Sequence, residues 1–533
     1  MKKYIVAISA ICLSITFVCQ KDALFDRYTI NDDVNQYIFP FYTIKDPCLF
    51  QNDILAEYSL KHNSVGTVFI YNLFSVFFDP LILTKILPFI LCWLSAIYVF
   101  LIGKDLYSLP VGFLAANMFT LYSWTFFYFS GGNPRAFAFP LALSFIYYLI
   151  KNSYAALSII LILQILFYPP IALISIFILI ILVLQNTKNS ICETGKKKVY
   201  KKFYFCCIII ISFIMLYFLY GKRDNFMGSL VSFNDIVNMA EFHSDGRVPF
   251  FVGLHKIFTD RAVMERIIGM PINIFPAWFL IYNLFFGLFL ISEKKVKINQ
   301  IFNIFLISSL IMYILSWLLL FRFFYPGRYL KFYLPIYLIF LSALIINKYV
   351  IEEFNCKTFF RLSIISLLII ILFLPFLHNN LSTFRNKGLY KFLSTLPKEC
   401  LLAGHPAIVN EIPLYSKRKV FVQEELSLPF YKNYYQMIRR RTYDFFRLYY
   451  SCSIDEVKNI CKKYKIDYLI LAKEHFKKIY LDKRHFYFEP FNTKIIHIVL
   501  ENINNGFILI NLIPRCKVYE DGEFIVINSK LLF

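Results

Sequence analysis

Residues 81–103 read LILTKILPFILCWLSAIYVFLIG, an apolar run in which Lys85 carries the only charge. At about 1.5 Å of rise per residue, a helix of this length crosses the roughly 30 Å hydrocarbon core of a bilayer. Similar runs recur along the chain, which is 58% hydrophobic and has a mean hydropathy of +0.58. The sequence therefore predicts a polytopic α-helical membrane protein.

Hydropathy predicts about eleven transmembrane helices within residues 1–377. The predicted spans are 4–19, 81–103, 110–130, 135–150, 154–168, 170–185, 203–220, 273–292, 301–321, 329–347 and 362–377. The first of them is interpreted as an uncleaved helix rather than a signal peptide, because no suitable cleavage site follows it. A further apolar stretch, 65–78, is predicted to lie on the membrane surface.

Basic residues determine the predicted orientation, with Lys2 and Lys3 inside the cell. The other basic positions that then fall inside are Lys104, Lys151, the runs 196–202 and 294–297, and Lys348, Lys357 and Arg361. This distribution obeys the positive-inside rule, whereas a span at 65–78 would move the run 196–202 outside. The formal charge of +22 is thus explained by topology and anionic lipid headgroups rather than by nucleic acid.

The predicted outer face carries a long loop, 20–80, and a polar tail, 378–533. The tail is predicted to be a soluble α/β domain, since it is long enough for a core of its own. Its predicted helices are 431–450 and 453–464, and its candidate strands are 467–472, 507–512 and 524–527. It contains neither a glycine-rich phosphate loop nor a nucleophile elbow, which indicates a recognition or scaffold role.

An acidic pair, Asp32 and Asp33, lies just after the first predicted helix. Acidic residues are scarce, with 34 Asp and Glu against 56 Lys and Arg, so a pair of them is informative. Adjacent residues point about 100° apart on a helix, and therefore at most one carboxylate aims directly at a substrate. Such a carboxylate is suited to take a proton from a hydroxyl group. A solvated turn is the alternative interpretation, and Asp53 and Glu57 are alternative acids in the same loop.

Arginines open two later spans on the same predicted face. Arg135 follows a Gly-Gly-Asn-Pro turn, Arg328 follows Tyr-Pro-Gly, and Arg322 lies one short loop away. A guanidinium group at a helix mouth can hold a phosphate through bidentate, charge-assisted hydrogen bonds. Anchoring to lipid headgroups is the alternative. Tyr168, which precedes two prolines in a predicted turn, is a further candidate for the wall of the same cavity.

These features, in this order, resemble the GT-C superfamily of integral membrane glycosyltransferases. That group includes the protein O-mannosyltransferases and the aminoarabinose transferases of lipid A. Residues 31–33 match the position of the acidic motif in the first outer loop of these enzymes, and 132–140 and 327–329 resemble segments of uncharacterised bacterial members. The resemblance covers the topology of the whole chain, although the motif here is Asp-Asp rather than Asp-x-Asp or Glu-x-Asp.

The resemblance implies an inverting transfer of a hexosyl or pentosyl group from a polyprenyl-phosphate carrier. The acceptor is expected to be a glycan, a lipid or a protein on the outer face. Asp33 is then expected to be the catalytic base, with Asp32 beside it, while Arg135 or Arg328 binds the lipid phosphate. A divalent cation is compatible with the acidic pair but is not required by the sequence. The expected location is the bacterial inner membrane, with a cytoplasmic N-terminus and the tail outside.

Three other functions remain as alternatives: a transporter or flippase for a lipid-linked glycan, a glycan polymerase or ligase, and a non-catalytic envelope assembly protein. Transporters keep charged residues along the path inside their spans. Here the interiors of the predicted spans are almost free of charge, and the polar groups lie on one face. This distribution favours an active site that opens on one side of the membrane.

Overall fold

A computed structural model of the 533-residue chain describes residues 1–185, 195–221, 224–269, 290–291, 296–320, 322–351, 358–377 and 381–533. Its long apolar helices are α1 Lys2–Phe25, α2 Pro80–Leu106, α3 Leu109–Thr125, α4 Ala138–Ile150, α5 Tyr154–Phe167, α6 Pro169–Gln185, α7 Gly195–Tyr220, α8 Gln300–Leu318, α9 Tyr333–Ile346 and α10 Thr358–Phe373. Within the described ranges, five helical segments are long and apolar enough to cross a membrane by length and composition. The chain is thus a largely helical protein with several apolar helices.

The predicted spans and the observed helices agree wherever the structure describes them, with one notable difference in length. The span predicted at 110–130 ends at Thr125, because the chain turns at Phe127, whose φ is 54°. The aromatic residues of this turn continue the apolar run and conceal the helix end in the sequence. The predicted span 273–292 lies outside the described residues apart from 290 and 291, so the number of helices stays a prediction.

The segment 26–79 begins and ends at the same end of the helix bundle. Arg27 pairs with Asp79 across 3.4 Å, while at the far end of α1 and α2 the Lys104 Nζ lies 3.7 Å from the Met1 Sδ. The two helices are therefore antiparallel neighbours. The helix Val65–Phe77, which lies between them in the chain, does not cross the bundle. This geometry agrees with the prediction that 65–78 is not a span.

The tail, described from residue 381, packs against this same end of the bundle, which we call the tail end. Strand β1 (Thr29–Ile30) of the segment 26–79 pairs antiparallel with strand β2 (Ser382–Thr383), which opens the tail. The Tyr58 ring stacks on Tyr434 with the ring centres 3.7 Å apart. Buried tail side chains such as Leu393 belong to the same continuous hydrophobic core as the membrane helices. The segment 26–79 and the tail are therefore packed together.

The tail contains a mixed five-stranded sheet in the order β4-β3-β5-β7-β6. The strands are β3 Leu401–Gly404, β4 Lys419–Val420, β5 Tyr468–Ala472, β6 Lys517–Glu520 and β7 Phe524–Asn528. β3 runs parallel to β4 and β5, and β7 runs antiparallel to β5 and β6. The main helices around it are Lys387–Thr395, Lys432–Tyr449, Ile454–Tyr464, Phe491–Asn502 and Ile508–Cys516.

The predicted helices of the tail and its strands at 467–472 and 524–527 are confirmed. The Ser453 side chain caps its helix by accepting from the Glu456 N–H. The prediction of a strand at 507–512 is wrong, because these residues enter the helix Ile508–Cys516. That helix buries Leu509, Leu512 and Cys516 at helical spacing, a period that a six-residue apolar run is too short to display.

Candidate active site

The carboxylate pair lies at the tail end in a short helical turn, residues 31–37, which we call the acidic turn. Asp33 is the N-cap of the four-residue helix that follows it. The Asn31 carbonyl oxygen accepts from the Val34 N–H at 3.0 Å, and the Asn31 side chain accepts from the Asp33 N–H at 3.1 Å. Because Asp32 and Asp33 are adjacent on a helical turn, their side chains point in different directions.

Asp33 is held in an ion pair with Arg135. The Arg135 Nη2 lies 2.6 Å from the Asp33 Oδ2, and the Asn133 Nδ2 donates to the same oxygen at 3.3 Å. The loop that carries these groups passes close to the acidic turn. Gly131 has a φ of 79°, and a Cβ there would lie 3.1 Å from the Asn31 Cβ. The glycine thus allows the close approach that brings Arg135 to Asp33.

Asp32 differs from its neighbour in that it forms no ion pair with any residue that the structure describes. Its side chain is accessible to solvent but lies in a crevice surrounded by protein groups. Burial in this crevice, with the negative charges of Asp33 and Glu425, raises the pKa of Asp32 to about 6, while Arg135 opposes the shift. A carboxyl group with a near-neutral pKa is well suited to proton transfer.

Arg328 reaches the same neighbourhood from the turn before α9. Its guanidinium carbon lies 5.2 Å from the centre of the Phe324 ring. Tyr37 of the acidic turn interacts electrostatically with all three charged residues. Burial and Asp33 raise the pKa of Tyr37 above its usual range, while Arg328 and Arg135 lower it. The structure therefore brings Asp33, Arg135 and Arg328 together from three separate parts of the chain.

Sequence reasoning misses a second group of ion pairs beside the arginines. The Lys331 Nζ lies 2.8 Å from the Glu265 Oε2, and the Arg261 Nε lies 3.4 Å from the Glu265 Oε1. Burial raises the pKa of Glu265, but Lys331, Arg261 and Arg135 outweigh it and hold that pKa below its usual range. Lys331 follows Arg328 by three residues, which places both on one face of a helical turn. That spacing is the signal available in the sequence.

The tail also supplies a carboxylate to the site. The Arg247 Nη2 lies 3.4 Å from the Glu425 Oε2, and the Gln36 side-chain amide donates to the same oxygen. The pKa of Glu425 is raised overall, because burial and the negative charge of Asp33 outweigh the opposing effect of Arg247. The sequence holds no signal for this contact, because 389 residues separate Gln36 from Glu425.

No family model matches this chain, and no curated protein matches it in sequence. Solved structures do match it. The Archaeoglobus fulgidus oligosaccharyltransferase in its apo form gives a TM-score of 0.52 at 10% identity, over 93% of this chain and 72% of that protein. ArnT from Cupriavidus metallidurans bound to undecaprenyl phosphate gives a TM-score of 0.51 at 10% identity, over 99% of this chain and 98% of that protein. This chain shares its fold with both structures. The archaeal oligosaccharyltransferase AglB from Archaeoglobus fulgidus, in complex with an inhibitory peptide and a dolichol-phosphate, gives a TM-score of 0.50 at 11% identity, over 91% of this chain and 71% of that protein.

The GT-C resemblance inferred from the order of the acidic motif and the spans is thus confirmed at the level of the fold. At this sequence identity the likeness concerns the fold alone, so the site rests on the geometry of this chain. Within this fold the acidic turn, the loop before α4 and the turn before α9 meet at the tail end. Tyr168 lies between α5 and α6 and interacts electrostatically with both Arg135 and Arg328, so it lines the same neighbourhood.

Three other predicted residues lie apart from this group. Asp53 is a buried helix N-cap whose carboxylate accepts from the Leu55 N–H at 3.0 Å, and burial raises the pKa of Asp53 to about 6. Glu57 is exposed and pairs with Lys61 at 2.6 Å. Arg322 is exposed. None of these contacts involves the acidic turn.

The arrangement combines two kinds of chemistry. A carboxylate of the acidic turn can accept a proton, and the basic side chains at the mouths of α4 and α9, which pair with neighbouring carboxylates, can hold an anion. In the part of the chain that the structure describes, no group of three or more His, Cys, Asp or Glu side chains is placed to hold a metal ion.

Proposed function

We propose that this protein is a membrane glycosyltransferase that moves a sugar from a polyprenyl-phosphate carrier to an acceptor hydroxyl group. One observation carries the proposal: the open carboxylate of Asp32 adjoins the ion pair of Asp33 with Arg135, and Arg328 acts on Tyr37 of the same turn, at the tail end of a GT-C fold. Transfer from a phosphate-linked donor needs a base for the acceptor and cations for the departing phosphate. Both are present here.

The geometry favours Asp32 over Asp33 as the base. The sequence-based expectation names Asp33, but that carboxylate lies 2.6 Å from Arg135 and is occupied by the ion pair. Asp32 is open to solvent, and its pKa, raised to about 6, lies near neutrality, where a general base is effective. We therefore assign the proton transfer to Asp32 and the positioning of Arg135 to Asp33.

In the proposed reaction Asp32 takes the proton of the acceptor hydroxyl as its oxygen attacks the anomeric carbon. The bond from that carbon to the phosphate oxygen breaks, the electron pair leaves with the polyprenyl phosphate, and the anomeric configuration inverts. Negative charge increases on the phosphate during this step. Arg135 and Arg328 are placed to stabilise it, with Lys331 next to them.

The choice of carrier is supported by two solved structures of similar fold. AglB is in complex with a dolichol-phosphate, and ArnT is bound to undecaprenyl phosphate. A polyprenyl tail is apolar and can lie among membrane helices, while its phosphate reaches the basic groups at their mouths. We propose the same class of carrier here. The transferred group would be a hexosyl or pentosyl group, and the acceptor a glycan, a lipid or a protein.

We propose that the tail end faces the outside of a bacterial inner membrane and that the N-terminus is cytoplasmic. Asp105 at the opposite end of the bundle pairs with Lys104 at 3.1 Å and with Lys151 at 2.9 Å, which leaves an excess of lysine there. The positive-inside rule assigns such an end to the cytoplasm. Residues 1–377 would then be the membrane part and 378–533 the extracytoplasmic α/β part.

The test uses the full-length protein in lipid nanodiscs. Lipid extracted from the purified protein is identified by mass spectrometry, and a panel of polyprenyl-phosphate sugars is then offered while release of free polyprenyl phosphate is followed. We expect a co-purifying polyprenyl-phosphate sugar and its consumption by the parent protein but not by D32N. A lipid-linked glycan that binds and crosses a vesicle membrane unchanged would indicate a flippase and contradict the proposal.

A further inference from the structure

A short segment of the tail, residues 423–425, contacts the acidic turn directly; we call it the tail clamp. The Gln423 Nε2 donates to the Asn35 carbonyl oxygen at 3.3 Å. The Gln36 side-chain amide donates to the Glu425 Oε2, which also lies 3.4 Å from the Arg247 Nη2. Two consecutive residues of the acidic turn are therefore held by side chains that come from the other end of the chain.

The tail clamp is itself held in place by buried hydrogen bonds. Gln423 is fully buried, and its Nε2 also donates to the Asn410 carbonyl oxygen at 3.3 Å. The Asn410 side-chain oxygen accepts from the Glu425 N–H at 3.2 Å. The Glu424 N–H donates to the Pro406 carbonyl oxygen at 3.1 Å. A side chain on such a segment has a defined position, as a positioning role requires.

We propose that Glu425 is a positioning residue through which the tail holds the acidic turn and keeps Asp32 competent as the base. This inference rests on the proposed glycosyl transfer and adds a role for the tail in it. Glu425 is not expected to touch the substrate. It acts through Gln36 on the backbone that carries Asp32, and through its charge on Asp32 itself.

The charges around Asp32 come from three elements. Asp33 faces it from its own turn, Arg135 from the loop before α4, and Glu425 from the tail clamp. The negative charge of Glu425 raises the pKa of Asp32, whereas Arg135 lowers it. Arg247 lies beside Glu425 and offsets part of that charge. The tail therefore influences both the position of Asp32 and the pH at which it loses its proton.

The first test compares E425Q with the parent in the full-length protein. Glutamine keeps an oxygen that can accept from Gln36 but removes the charge. We expect the acidic limb of the pH–activity profile to move to lower pH by about half a unit, the size expected of one charge acting through a partly hydrated crevice. The KM for the polyprenyl-phosphate sugar should stay the same, because the basic groups are intact.

The matched control is E424Q, which removes an equal charge from the neighbouring residue. Glu424 is not among the leading causes of the pKa shift of Asp32, so the acidic limb should move less than in E425Q. E425A, which also removes the contact with Gln36, should lower kcat by roughly tenfold while the protein keeps its melting temperature within a few degrees. E425D, which restores the charge on a shorter side chain, should return the acidic limb toward the parent.

Two outcomes separate the inference from the proposed function. If D32N abolishes transfer while E425Q and E424Q give the same pH profile as the parent, the role of Glu425 is wrong and the proposed function stands. If the folded parent neither binds nor consumes any polyprenyl-phosphate sugar, the proposed function itself fails. A shift with E425Q alone, together with loss of kcat in folded E425A, supports the inference.

Discussion

The acidic turn and a histidine pair in the tail both contain titratable groups with displaced pKa values, but they differ in access. The rings of His405 and His475 lie 4.7 Å apart, and these residues are only 5% and 4% exposed. The His405 Nε2 contacts the Phe486 carbonyl oxygen at 2.9 Å, and the His475 Nδ1 contacts the Tyr449 hydroxyl at 3.3 Å. Asp32, in contrast, is open to solvent.

A displaced pKa therefore indicates function only where a substrate can reach the group. Burial lowers the pKa of His405 to about 4, and burial together with His405 lowers the pKa of His475 to about 3. Both rings are therefore neutral and serve as packed core residues. Asp32 is surrounded by protein groups, which raises its pKa, but it stays accessible to solvent. A reactive carboxylate needs both properties.

The largest effect that tests this contrast is expected from D32N. Removal of a general base commonly lowers the rate by about 10² to 10⁴-fold, and we expect a loss of that size in kcat with the fold intact. E57Q, which removes an exposed carboxylate from the same loop, is the matched control and should change little. Full activity in D32N together with a large loss in D33N would return the role of base to Asp33.

The next effect concerns the two arginines that the sequence suggested near α9. R328A should lower kcat/KM for the polyprenyl-phosphate sugar by roughly 10 to 100-fold, because a charge-assisted contact to phosphate is lost. R322A removes an exposed arginine only six residues away and should have little effect. Steady-state kinetics in nanodiscs would measure both. Equal losses in the two variants would show that both arginines serve only as membrane anchors.

The pH dependence of transfer gives a third effect. The base must be deprotonated, and the pKa of Asp32 is raised to about 6. Below that pH, kcat/KM should therefore fall by about tenfold per pH unit, and above it the rate should level off. The residual activity of D32N should not show this fall at low pH. A parent profile that stays flat down to pH 5 would be incompatible with Asp32 as the base.

The histidine pair should affect stability instead of catalysis. Both pKa values are lowered in the folded protein, so between pH 6.5 and 4 the unfolded chain binds more protons and the fold loses stability as the pH falls. Each histidine contributes up to about 1.4 kcal/mol per pH unit in this window. H405Q should flatten the dependence of Tm on pH, whereas H485Q, at an exposed position, should not. Unchanged kcat per folded molecule at pH 7 is expected for both.

The smallest effect is a gain of stability in D32N. The pKa of Asp32 is raised in the folded protein, so above pH 6 its charge disfavours the fold, and neutral asparagine removes that cost. The gain should be on the order of 1 kcal/mol or less, because solvent screens an accessible carboxylate. A thermal melt at pH 7.5 would measure it. A lower Tm in D32N would mean that Asp32 is structural, like the histidines.

Part of the site follows from the sequence because its signals are local. Glycine-proline turns at the mouths of α4 and α9 mark Arg135 and Arg328, and the scarcity of acids marks Asp32 and Asp33. The same signals select Asp53 and Glu57, which are a helix cap and an exposed ion pair. Residue type and loop position do not distinguish these cases, because the difference lies in what each carboxylate contacts.

The class of fold follows from the sequence, since the length of an apolar run and the spacing of its side chains decide whether a helix can lie in a bilayer. The sequence also predicts that the acids and the arginines share one face. Which of the two adjacent carboxylates is open depends on the tertiary structure. It alone brought Lys331, Glu265 and Glu425 to the site. The physical reason is that an ion pair and a pKa depend on distances between groups far apart in the chain, and packing sets those distances.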